Sequence, residues 1–80
     1  MDRGMNNAYL YRDRFYSKDR TKIEMTLDYL EKFKTITPLE ALKAFGSFRL
    51  ADTIYTLKKR GYTITTTLSD EGYAIYRLEF

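Results

Sequence analysis

Between Thr21 and Phe33 the apolar residues fall at helical spacing. Ile23, Leu27, Leu30 and Phe33 stand at i, i+4, i+7 and i+10, with Met25 and Tyr29 beside them. Thr21 and Glu24 have the spacing of a capping box, in which each side chain satisfies the other residue's orphan backbone N–H, so a first helix is expected from there to about Phe33. Thr35-Ile36-Thr37 is β-branched throughout and too short for a helix, and predicts a strand able to pair at the edge of a later hairpin. Thr37 and Glu40 repeat the capping box with Pro38 at the first helical position, where its missing N–H costs nothing. The second helix so begun is expected to bury Leu39, Leu42 and Phe45 and to stop at Gly46, which tolerates the positive φ of a sharp corner.

Ser47 is placed to cap a third helix. Leu50, Ile54 and Leu57 fall on one face of it, the cations Lys58-Lys59-Arg60 suit its last turn, and Gly61 ends it. From Tyr62 the period drops to two: Tyr62, Ile64 and Leu68 point one way, and Thr63, Thr65 and Thr67 the other. Ser69-Asp70-Glu71-Gly72 has turn composition, and Tyr73, Ile75 and Arg77 then alternate with Ala74, Tyr76 and Leu78. This predicts a β-hairpin.

Residues 1–20 have neither period. They interleave Tyr9, Tyr11, Phe15 and Tyr16 with Arg12, Arg14, Lys18 and Arg20. We read them as an arm with one short helical turn, too aromatic to hang free, that docks in part on the domain, on a second copy or on a ligand. Residues 21–80 form the domain proper.

Eighty residues allow one core only. With 44% hydrophobic and 31% charged residues the chain is expected to fold unaided. The absence of cysteine removes disulfides and thiolate metal sites and suits a reducing interior. No apolar run approaches the roughly 20 residues of a membrane span, and no signal-like core stands at the N-terminus, so a cytoplasmic location is expected. The net charge of +3 is unevenly spread. Residues 1–20 carry five basic and three acidic groups, residues 21–60 eight and five, and residues 61–80 one and three. Cationic character therefore sits in the arm and the helices rather than in the hairpin.

Helix, short strand, helix, tight turn, helix and hairpin, in that order, predict an α+β winged helix-turn-helix with an N-terminal arm. In that fold the helix after the tight turn enters the major groove and the hairpin, or wing, touches the backbone nearby. With Leu50, Ile54 and Leu57 inward, the outward arc of the third helix holds Phe48, Arg49, Asp52, Tyr55, Thr56, Lys59 and Arg60, with Thr53 at its edge. Arg49, Thr53, Thr56, Lys58, Lys59 and Arg60, assisted by Arg12 and Arg14 of the arm, are the candidate contacts to phosphate oxygens and base edges of duplex DNA. Asp52 and the acidic wing tip Asp70-Glu71 oppose phosphate, unless a basic neighbour or a cytosine amino group offsets them.

The stretch from Ile36 to Leu78 resembles a family of small winged helix-turn-helix proteins common in bacteriophage and prophage genomes. The resemblance is carried by Ile36-Thr37-Pro38-Leu39-Glu40-Ala41, Gly46, Arg49-Leu50-Ala51, Ile54, Leu57-Lys58-Lys59, Gly61-Tyr62-Thr63-Ile64 and Tyr76-Arg77-Leu78. These are mostly scaffold positions. The chain departs from the pattern at Asp52 and Thr53, where the family carries small and basic residues, and residues 1–20 have no counterpart in it. What the resemblance implies is a phage or prophage DNA-binding protein, a small transcriptional regulator or an excisionase-like factor.

With no histidine and no cysteine, and with carboxylates at none of the spacings of metal loops, no catalytic machinery and no cofactor are expected. The alternative to DNA is a protein-binding module on the same scaffold, such as an anti-CRISPR-type inhibitor of a host protein. Asp52, the acidic wing and eight tyrosines favour it, with Tyr9, Tyr11, Tyr16, Asp52 and Tyr55 as the candidate partner contacts. A homodimer through the arm is compatible with either function.

Overall fold

Both capping boxes form and fix where two helices begin. The Glu24 N–H donates to the Thr21 hydroxyl at 3.1 Å and the Thr21 N–H to the Glu24 carboxylate at 2.9 Å. Thr37 and Glu40 repeat the exchange at 3.2 and 2.7 Å. The computed structural model describes residues 3–79. Its elements are α1 (Arg3–Arg14), α2 (Lys22–Phe33), β1 (Thr35–Ile36), α3 (Pro38–Phe45), α4 (Leu50–Lys59), β2 (Thr63–Leu68) and β3 (Ala74–Glu79). The three helices expected from periodicity are α2, α3 and α4. β1 pairs antiparallel with β3, Ile36 opposite Tyr76, and β3 pairs with β2, Ile64 opposite Leu78. The sheet order is β1-β3-β2, so the strand latest in sequence lies in the middle.

The N-terminal segment differs from expectation. It is a three-turn helix that lies against α3, not an arm with one turn. Ala8, Tyr11 and Phe15 stand at i, i+3 and i+7 and supply its packed face. Ala8 and Tyr11 are fully buried in the same core as α2–α4 and the hairpin, and Phe15 packs against it. Tyr11 meets Tyr29 and Phe45 with ring centroids 5.4 and 5.7 Å apart, the tilted and edge geometries that aromatic pairs favour. Tyr11 is therefore core, and is removed from the candidate partner contacts.

Three details of side-chain direction also differ. α3 turns Glu40, Ala41, Ala44 and Phe45 inward and leaves Leu39 half exposed, because the face that meets α1 is the one built from small residues. α4 begins at Leu50 with Arg49 in the N-cap position and no side-chain cap, and Ser47 is buried in the corner before it. On β2 only Ile64 is buried. Leu68, expected inward, is 73% exposed because the distal hairpin extends beyond the core. Gly46 adopts φ +71°, the left-handed value that lets the chain leave α3 and re-enter a helix four residues later.

A polar cluster closes the other side of α2. Asp28 accepts from the Tyr11 hydroxyl at 2.9 Å, from Arg20 at 3.3 Å and from the Lys32 ammonium at 2.7 Å. Burial pushes the Tyr11 hydroxyl well above its ordinary pKa, reinforced by the carboxylate it donates to, so it stays a neutral donor. At Asp28, burial by itself favours the protonated form. The hydrogen bonds from Lys32 and Tyr11 and the charges of Lys32 and Arg20 outweigh it and hold the carboxyl below its usual range.

Two expectations follow from this packing. Tyr11→Ala should lower unfolding stability by about 3–5 kcal/mol, the usual cost of emptying a buried aromatic site, read as a reduced urea midpoint at unchanged slope. Because the folded pKa of Asp28 is depressed, its contribution is present above the ordinary carboxylate value of about 3.9 and lost as pH falls through the lower, folded value. Thermal melts between roughly pH 5 and pH 2 should therefore fall more steeply for the native chain than for Asp28→Asn; parallel curves would place the acid sensitivity elsewhere.

Candidate nucleic-acid interface

The outward face of α4 is set by its apolar stripe. Leu50, Ile54 and Leu57 are buried, and the opposite side carries Asp52, Tyr55 and Lys59, with Arg49 at the N-cap and Lys58 and Arg60 on the two flanks of the C-terminal end, all exposed. Neither α1 nor the hairpin covers this surface. It divides into two local groups. At the N-terminal end Arg49 and Asp52 form an ion pair at 3.3 Å, with side chains 84% and 72% exposed. Towards the C-terminal end the Lys59 ammonium lies 5.5 Å from the Tyr55 ring centroid, a cation–π contact one helical turn long.

Asp52 therefore stands beside a cation that offsets its charge, at the cost of partly occupying Arg49. An exposed pair of this kind holds by about 0.2–1 kcal/mol, so a competing phosphate or base edge can displace it.

The two threonines behave differently from expectation. Thr53 is 8% exposed and its hydroxyl donates to the Arg49 carbonyl at 3.4 Å, so it belongs to the buried flank and not to the open face. Thr56 is half buried, and its hydroxyl donates to the Asp52 carbonyl at 3.1 Å. Of the two basic residues on α1, Arg12 is engaged with the end of α3, donating to the Lys43 carbonyl at 3.3 Å and lying 5.2 Å from the Tyr16 ring centroid. Arg14 is exposed at the last turn of α1. Tyr9 and Tyr16 are exposed on and just after that helix, which packs on α3, so neither lies on the α4 face with Asp52 and Tyr55.

The wing tip carries Asp70 and Glu71, both exposed. Ser69 shapes the turn: its hydroxyl accepts from the N–H groups of Glu71 and Tyr73, each at 3.2 Å. Beside the entry to α4 is an apolar groove of about 400 Å³ lined by Pro38, Leu39, Leu42, Phe48, Leu50 and Tyr73. A second hollow of about 330 Å³ shares Pro38, Phe48 and Leu50 with it and includes Arg49, Ala51 and Asp52. The groove was not anticipated from the sequence. Its signal was Leu39 directly after the helix-starting Pro38, a first-turn position that need not share the buried face of the later turns.

A tight corner between α3 and α4, an exposed second helix and a flanking antiparallel hairpin define the winged helix-turn-helix class. The family model described as a winged helix-turn-helix domain matches residues 21–78, and the chain belongs to that family. α1 precedes the matched span. No curated protein and no solved structure gives a match. Among the described residues no helix is long and apolar enough to cross a membrane, and no cluster of acidic, histidine or cysteine side chains is arranged to hold a metal ion.

A double-mutant cycle on Arg49→Ala and Asp52→Ala should give a coupling below about 1 kcal/mol in thermal stability, falling further with added salt. A larger, salt-insensitive coupling would show that the pair is a structural brace and not a displaceable contact.

Proposed function

We propose that the chain binds duplex DNA through the outward face of α4. The observation that carries this is the concentration of exposed cations, Arg49, Lys58, Lys59 and Arg60, on the helix that follows the glycine corner. Their role is to neutralise phosphates and, for Arg49 at the N-cap, to reach base edges. Arg14 adds a cation on α1, whereas Arg12 serves the end of α3. The acidic wing tip stays clear of the backbone, so the contact is made by α4 with little help from the hairpin. The motif resemblance supports a phage or prophage setting, a regulator or excisionase-like factor working in the bacterial cytoplasm, with no catalytic step of its own.

One set of features favours a second function, binding to a host protein as an anti-defence inhibitor: the exposed acid pair Asp70-Glu71 on the wing and the exposed Tyr55 on α4. A salt titration separates the two. On random 20-base-pair duplex, four phosphate contacts should make log affinity fall with log salt at a slope of roughly −3 to −4, since each neutralised phosphate contributes about −0.9. Lys59→Ala should weaken all sequences alike and reduce the slope by roughly 1. No complex at micromolar protein and low salt removes the DNA reading. Recovery of one stoichiometric, nuclease-resistant protein would then favour the second.

A further inference from the structure

Phe48 is 86% exposed, more than any other large apolar side chain among the described residues, and with Pro38 and Leu50 it lines both the apolar groove and the hollow that contains Arg49 and Asp52, a ridge common to the two. Nothing in the packing of the fold accounts for it. Ser47 and Leu50 on either side are buried and hold the corner, while Phe48 and Arg49 both project from it. The ridge stands where a groove-entering helix presents its N-terminal end, next to a cation that is 84% exposed. Major-groove base edges are otherwise polar, and their one apolar feature is the 5-methyl group of thymine.

We propose that Phe48 is a thymine-reading residue that packs its ring on a thymine 5-methyl group, with the flank of Leu39 shielding the contact from water. The occupant is a duplex, chosen over an apolar protein surface because the helix that Phe48 precedes carries four exposed cations, Arg49, Lys58, Lys59 and Arg60, against the single acid Asp52 and so favours a polyanion. This rests on the DNA-binding function proposed above. It adds a chemical preference to it: the chain selects sites with thymine opposite the entry to α4.

The test uses duplexes that the full chain enriches from a random 20-base-pair library, each resynthesised with deoxyuridine in place of thymidine. Removing the methyl should weaken binding about fourfold for each one buried, the equivalent of one apolar carbon returned to water. Phe48→Ala should melt like the native chain, since the ring is not in the core, and should bind thymidine and deoxyuridine duplexes equally. Equal binding of both duplexes by the native chain overturns the proposal while leaving DNA binding intact. So does an equal loss on both duplexes in Phe48→Ala, which would make the ring a stacking wedge. Sedimentation in which Phe48→Ala converts a dimer to a monomer, with no effect of the methyl, would assign the ridge to a contact between copies and also overturn it. Failure of the native chain to enrich any duplex removes the parent function together with this one.

Discussion

Glu40 gives one carboxylate oxygen to the Thr37 amide and the other to the Tyr29 hydroxyl, and the orientation of α4 runs through this pair of contacts. A carboxylate this deeply buried is costly unless hydrogen-bonded, so its partners cannot drift. The first contact sets the residue at which α3 begins; the second fixes that beginning against α2, through a tyrosine whose ring touches Tyr11, Phe33 and Phe45. α3 is only eight residues long. Any slip at its start would carry through Gly46 into the direction of the exposed helix.

α1 strengthens the same junction from the other side. Ala41 and Ala44 keep the face of α3 low enough for a second helix to lie on it, and Tyr11 fills the space between Tyr29 and Phe45. The ring is anchored at its far end by Asp28, itself held by two cations. The N-terminal helix is thus a buttress behind α3, and α4 is left open on the side facing away from its own core.

The helix starts were legible because capping is local chemistry: Thr21 with Glu24, and Thr37 with Glu40, act within four residues and do not consult the rest of the fold. The inward stripe of α4 was legible for the same reason of regular spacing. Residues 1–20 were not, since Tyr9, Leu10 and Tyr16 obscure the helical period of Ala8, Tyr11 and Phe15, and only contact with α3 decides between them. Leu39 and Leu68 were assigned inward by spacing, yet one lies in a first turn and the other on a hairpin that outruns the core. In the candidate site, the cations and Asp52 were visible in the sequence. The burial of Thr53 and the exposed ridge at Phe48 depend on how the corner after Gly46 is turned, which composition does not encode.

The sheet order carries a consequence for synthesis on the ribosome. β1 and β2 never touch; each is bonded only to β3, which is translated after both. Neither strand can complete its pairing until residues 74–79 have been made, so sheet formation waits on the last element of the fold. Once closed, the sheet still leaves β2 with one edge unpaired, and Thr63–Leu68 carries neither a charge nor a proline to discourage a further strand from joining there.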